Sequence, residues 1–244
     1  MIYLWNLLFY TPMYNGLVFL IDAIPWHDVG LAVIILTLLF RFIMSPLSRK
    51  AIKSQIAIKN IQPELDKIKK EIKDKQEQAK RTLALYKEKK INPFSGFFFL
   101  LIQIPIIFAL YFVFLDGVVA KTDILYPFIK YPETLNNMFL GIINVEAKKN
   151  IALALLCGIS QYLQYKYSSA AKPAPQKEGE KDESFQGQLA KSMNLQMKYF
   201  LPALIAFFAY NMPAAIPIYW ITSNTYTIFQ EIKLQNKLKI AKSD

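Results

Sequence analysis

Arg41 stands inside an apolar run long enough to cross a membrane, and that placement limits the fold more than any other feature of the chain. Residues 30–50 read GLAVIILTLLFRFIMSPLSRK, with Arg49 and Lys50 forming a basic exit. Arginine near the centre of a membrane helix costs roughly 2.5–3.5 kcal/mol on insertion scales, so it normally faces a partner or a water-filled cavity. At ~1.5 Å per residue Arg41 lies about 12 Å from Arg49 along a helix, within the hydrocarbon if Arg49 marks the interface. Thr37, four residues earlier, shares its face. The competing reading is that Arg41 snorkels to the headgroups.

The rest of the chain follows the same pattern. Hydrophobic residues make up 54% of the 244, aromatics 14%, and they are bunched in runs, which describes an all-α polytopic membrane protein rather than a soluble domain. Five transmembrane helices are expected at 27–45, 93–115, 150–167, 197–212 and 214–231. Residues 1–26 are broken by Pro12, Asn15, Gly16 and Asp22. They read as an outer-face interfacial amphipathic segment over Leu17 to Ile24, with Trp5 and Trp26 in an aromatic belt and a spanning helix as the alternative. His27, the one histidine, reads as interfacial polar cover.

Charge sets the orientation. Between Arg49 and Lys90 there are 14 Lys or Arg against 6 Asp or Glu, whereas residues 116–149 carry four of each. By the positive-inside rule residues 46–92 are cytoplasmic and 116–149 form an external loop, giving an N-out, C-in topology. Leu65, Ile68 and Ile72 recur at helical spacing, as do Ala79, Leu83 and Tyr86, and Pro63 can open a helix, so 46–92 reads as a cytoplasmic helical hairpin. Residues 168–196, rich in Lys, Glu, Pro, Ser and Gly, read as a flexible cytoplasmic linker, and 232–244 as a basic cytoplasmic tail. The single Cys157, in an apolar run, reads as a packing residue.

The chain carries no Gly-rich phosphate loop, no paired histidines and no metal-ligand spacing, so neither an enzyme nor a cofactor is expected. Polar residues within the spans include Thr37, Arg41, Gln103, Gln161, Gln164, Thr222, Ser223 and Asn224, and Ser160 joins Gln161 and Gln164 in what reads as a wet face of the third span. They read either as the lining of one shallow cavity wet from the cytoplasm or as hydrogen-bond glue between helices, worth ~0.6 kcal/mol per bond on average. A small-molecule transporter or channel needs polar residues through both leaflets, and these thin out in the external halves. A structural scaffold would tolerate the loss of Arg41.

Three stretches carry a resemblance: GLAVIILTLLFRFIMSPL at 30–47, residues 60–113 with LYKEKKINP and LIQIPIIFALY, and MKYFLPALIAFFAYNMPAAIPIYWITSN at 197–224. In this order the sequence resembles the YidC/Oxa family of membrane protein insertases, in a short bacterial form without the large external domain. It departs from the family's pattern at Ser95 and Ala215, where glycine is usual. The resemblance implies a five-helix bundle in the bacterial cytoplasmic membrane, active as a monomer, with a positively charged groove open to the cytoplasm. It implies Arg41 as the groove charge, Thr37 one turn away, Gln103 and Gln164 as polar lining, and Trp220 on the facing span; the cavity reading adds Gln161, Ser223 and Asn224 to that lining. Nascent membrane proteins are the implied partners, with the ribosome and Sec translocon. Lys233, Lys237, Lys239 and Lys242 offer a surface for ribosomal RNA or anionic lipid.

Overall fold

The computed structural model describes residues 2–92, 95–115, 121–168 and 195–240. Its architecture is helical. In chain order the elements are α1 (Ile2–Trp5), a π-helical turn (Asn6–Tyr10), α2 (Thr11–Ala23), α3 (Val29–Ile43), α4 (Ser45–Asn60), α5 (Gln62–Glu71) and α6 (Lys75–Glu88). After these come α7 (Ser95–Leu115), strands β1 (Met138–Phe139) and β2 (Ile143–Asn144), and α8 (Ile151–Tyr167). A second π-helical turn (Gln196–Phe200), α9 (Leu201–Asn211) and α10 (Ala215–Ile240) complete the chain.

Prolines explain the irregular helices. Each π-helical turn ends two residues before a proline, Pro12 or Pro202, at the start of the following α-helix. Proline cannot donate to the carbonyl four residues back, and its ring crowds that carbonyl, so a wider turn relieves the clash. Pro46 acts by the same chemistry at the start of α4, where the chain turns by 62° from α3. The expected end of the Arg41 helix is therefore a bend into a second helix.

Helix α2 packs on α3 and α7, α3 on α10, and α8 on both α9 and α10. The main core gathers Tyr14, Leu17, Val18 and Ile21 with Val29, Val33, Ile106, Leu110, Val113 and Ile216. Of the two expectations for the N-terminal segment, the packing favours the alternative, a full-length helix. The helical run begins at Ile2, and the inner face of α2 is buried against the main core. Periodicity over Leu17 to Ile24 misses this because Pro12 and Asn15 read as breaks. Pro12 instead sits in the first turn of α2, and the Asn15 side chain is satisfied by Thr11 O at 2.9 Å and Ile124 O at 2.8 Å. Tyr3–Ala23 is also the one described helix that is by itself long and apolar enough to cross a membrane.

Large apolar residues remain exposed around the bundle, among them Leu8, Phe42, Ile151, Phe200, Phe207 and Phe229. An apolar exterior of that extent is suited to hydrocarbon rather than to water.

The loop before α8 is stitched to one end of the bundle. Asp28 caps α3 by accepting from Leu31 N, and its other carboxylate oxygen accepts from Leu140 N, both at 2.9 Å. Ala215 N donates to Val145 O and Ala214 N to Ala147 O, again at 2.9 Å. The β1–β2 turn leans on Gly30, where an added Cβ would meet Phe139 at 2.5 Å. The sequence offers little hint of this lid, because apart from the Asp28 carboxylate its bonds are backbone bonds between distant segments.

The expected hairpin is present as α5 against α6, with a small core of Ile61, Leu65 and Leu85. Leu65 is placed as expected, but the second stripe is not. Ala79 and Leu83 are exposed, and Leu85 with Tyr86 turns inward. Asp74 caps α6 by accepting from Gln76 N at 2.6 Å, which fixes where that helix starts. The tail also differs from a free basic segment. Helix α10 continues to Ile240, and Leu234 and Glu231 are buried.

Candidate functional site: a polar seam along α10

Three consecutive polar residues of α10 point in three directions, as ~100° of helical rotation per residue requires. Ser223 faces α3. Its Oγ accepts from Arg41 Nε at 2.7 Å and from a second guanidinium nitrogen. Asn224 faces α8, donating to Ser160 Oγ at 3.0 Å and to Gln161 Oε1 at 3.1 Å. Ser160 passes its own proton to Cys157 O at 2.8 Å. Thr222 turns back, bonding Ile218 O at 2.8 Å. The result is a continuous polar seam from α3 through α10 to α8.

The seam is buried. Arg41 is 8% exposed, Thr37 2%, Asn224 3% and Ser223 is fully covered. Thr37 donates to Val33 O at 2.6 Å, so its hydroxyl is held by its own helix. Trp220, one turn before Asn224, is half buried between the main core and the Ala154, Cys157, Ala209 cluster. A lower clasp adjoins the seam: Gln230 Nε2 donates to Ser45 Oγ at 2.9 Å while its Oε1 accepts from Ser48 at 2.6 Å. This clasp ties the start of α4, just past the bend, to α10. Beside the seam, on the outer surface of α3 and α10, lies a cleft of about 610 Å³ walled by Leu38, Phe42, Ile221 and Phe229 with Arg49 and Lys233.

With this geometry in place, similarity to known proteins decides the family. The family model described as 60Kd inner membrane protein matches residues 20–242. The chain belongs to that family, the YidC/Oxa1 proteins. It is 32% identical over 231 residues to a membrane protein insertase YidC of Francisella philomiragia subsp. philomiragia, covering 91% of this chain and 36% of that protein. The YidC of Francisella tularensis subsp. novicida shows the same identity and coverage. The chain thus spans about a third of the length of the curated relatives it matches. Among solved structures, an active YidC insertase with its first transmembrane domain resolved shares the fold, with a TM-score of 0.54 and 23% identity over 90% of this chain and 45% of the other.

In this YidC/Oxa1 chain the residues expected at the site separate into groups. Arg41 and Ser223 meet, and Asn224 and Gln161 meet, with Thr37 and Trp220 packed one turn away. Gln164 is half buried further along α8, where its carbonyl accepts from Ser168 N at 3.0 Å. It is Ser223, rather than Gln164, that accepts from Arg41. Gln103 lies on α7 and Lys239 in the last turn of α10, but their side chains, and the whole of Lys242, fall outside the described residues. Arg41, Thr37, Ser223 and Asn224, expected to line a wet groove, are enclosed by helix packing among the described residues. Ser45, Ser48 and Gln230 were missed as contributors to the clasp, whereas Ser160, expected with Gln161 and Gln164 on a wet face of the third span, is instead buried against Asn224.

Proposed function

We propose that this chain is a membrane protein insertase of the cytoplasmic membrane. A short polar segment of a nascent membrane protein is taken against the Arg41 seam while its apolar neighbour passes into lipid, without nucleotide hydrolysis. The supporting observation is the buried guanidinium bonded to a hydroxyl. Ser223 accepts through a neutral oxygen, and an incoming carboxylate is the stronger acceptor for the same fork. In the resting packing the seam is closed, so a client must part α3 from α10 to reach it. Inside-negative potential favours outward movement of acidic residues by about 2.3 kcal/mol per charge per 100 mV. Burial of a spanning helix supplies the larger share, at about 25 cal/mol per Å² of apolar surface.

The same reading carries the five-span, N-out topology, with Lys73 and Lys237 cytoplasmic and Lys130 external. Single-cysteine labelling in a background lacking Cys157 tests it. Protection of position 130 from an impermeant outside reagent while 237 reacts would reverse the orientation. Lys237 and the basic hairpin are offered to ribosomal RNA, and a Sec translocon is a further expected partner.

The deciding experiment is insertion into liposomes holding this protein alone, using paired clients that differ only in the charge of their translocated segment. Arg41→Lys, which keeps the charge but not the guanidinium fork held on Ser223, should lose part of the activity, Arg41→Ala much of it and Arg41→Glu most, with acidic clients suffering first. Equal insertion by the arginine, alanine and glutamate forms would overturn the role of the seam.

A further inference from the structure

The cleft on the outer surface of α3 and α10 is apolar along its length and cationic at one end. Leu38 and Phe42 form one wall, Ile221 and Phe229 the other. Of the polar residues along it, Thr222 donates to Ile218 O at 2.8 Å, Thr225 donates to Ile221 O at 2.7 Å and Gln230 is held in the clasp, which leaves Tyr226 as the one hydroxyl-bearing side chain of the lining not bonded to its own helix backbone. Each threonine therefore spends its proton on its own helix. At the far end stand Arg49 of α4 and Lys233 of α10, both exposed, and no acidic side chain lines the cleft.

This cationic end is held in place. Ser48 adjoins Arg49, Lys233 lies one helical turn beyond Gln230, and the Gln230 clasp to Ser45 and Ser48 locks these two stretches together across the bend. An apolar trough closed by two positioned cations matches an amphiphile with a negative head and a hydrocarbon tail. Its volume of about 610 Å³ lies within the roughly 300–1,000 Å³ usual for small-molecule sites. A polar solute would leave Leu38, Phe42 and Phe229 without complement, and an uncharged lipid would leave Arg49 and Lys233 without one.

We propose that this cleft is a binding site for one anionic glycerophospholipid, its phosphate between Arg49 and Lys233 and an acyl chain along Leu38, Phe42 and Phe229. Lys233 is then a lipid ligand rather than part of a ribosome contact. Occupancy also places hydrocarbon one residue away from the Arg41–Ser223 bond, since Leu38 and Phe42 flank Arg41 and Thr222 precedes Ser223.

The test uses the full chain in nanodiscs containing a phosphatidylglycerol with a photoreactive group on its acyl chain, or the matched phosphatidylcholine, with crosslinked peptides mapped by mass spectrometry. Phosphatidylglycerol should label peptides spanning 38–42 and 221–229 on the order of tenfold more than phosphatidylcholine, as expected for two cations near an anionic head. The double substitution Arg49→Ala with Lys233→Ala should bring its labelling down to the phosphatidylcholine level, and Leu38→Trp, which fills the trough, should lower labelling with both cations intact. Equal labelling by the two lipids, or an unchanged double variant, would overturn the site. So would displacement of the label by an acidic client peptide but not by excess unlabelled phosphatidylglycerol, which would assign the cleft to clients. No client is present in the primary assay, so this proposal and the insertase reading fail separately.

Discussion

The α10 seam and the α5–α6 hairpin both concentrate polar side chains, yet they handle them in opposite ways. In the seam Arg41, Ser223, Asn224 and Ser160 are buried and bonded to one another across three helices. In the hairpin the charges point to solvent, and three buried residues, Ile61, Leu65 and Leu85, hold the two helices together. The difference teaches where a polar residue matters energetically. Inside the bundle each one has a specific partner whose loss strands a buried group, whereas on the hairpin water replaces any partner at little cost. The bundle should thus behave as one rigid unit and the hairpin as a separable, weakly held arm.

The largest effect should come from breaking the close approach of α8 and α9 beside the seam. A Cβ at Gly158 would already meet Ala206 Cβ and Pro202 O at 3.1 Å, so Gly158→Leu must push the helices apart. A loss of up to ~3 kcal/mol is expected, read as a lowered unfolding midpoint in detergent. A midpoint within error of wild type would show that the bundle is looser than its packing implies.

Asn224→Ala comes next. It removes two bonds and leaves Gln161 with an unmet acceptor, for an expected cost of ~1–2 kcal/mol. Combining it with Ser160→Ala should cost less than the sum of the two, since both remove the same contact. Strict additivity would mean that the seam is not a network.

In the hairpin, Leu85→Ala should lower local stability by about 2 kcal/mol, the low end for buried leucine because so few residues surround it. Hydrogen exchange should accelerate across residues 62–88 while amides of α8 and α10 stay protected. Acceleration in α8 or α10 as well would make hairpin and bundle one cooperative unit. Leu83→Ala, on the exposed face, should stay within ~0.5 kcal/mol of wild type.

The smallest effect is expected at the Lys89–Glu64 ion pair, 3.2 Å apart with both side chains more than a third exposed. Glu64→Gln should change stability by at most ~0.5 kcal/mol, and less in high salt. A larger loss would show that the hairpin is held by charge rather than by its three apolar residues.

Much of this architecture was legible along the chain because it rests on local properties. Transfer free energy belongs to individual residues, so apolar runs marked α3, α7, α8, α9 and the first half of α10, and the basic run marked the hairpin. Proline's missing donor is likewise local, and it located the bend at Pro46. Arg41 stood out because a charge in an apolar run is costly wherever the run packs.

What only the tertiary structure decided depends on helix rotation and on contacts between distant residues. Thr222, Ser223 and Asn224 are equal candidates in sequence, and it is the rotation of α10 that turns the middle one toward Arg41, 182 positions away. The same ambiguity placed Leu83 rather than Leu85 inside the hairpin, since a short amphipathic helix with few apolar residues fits more than one rotation. Burial of α2, the β1–β2 lid and the closing of the seam all come from hydrogen bonds and packing between segments far apart in the chain. Hydropathy cannot register such contacts, because it sums residues one at a time, and a partner is a property of two.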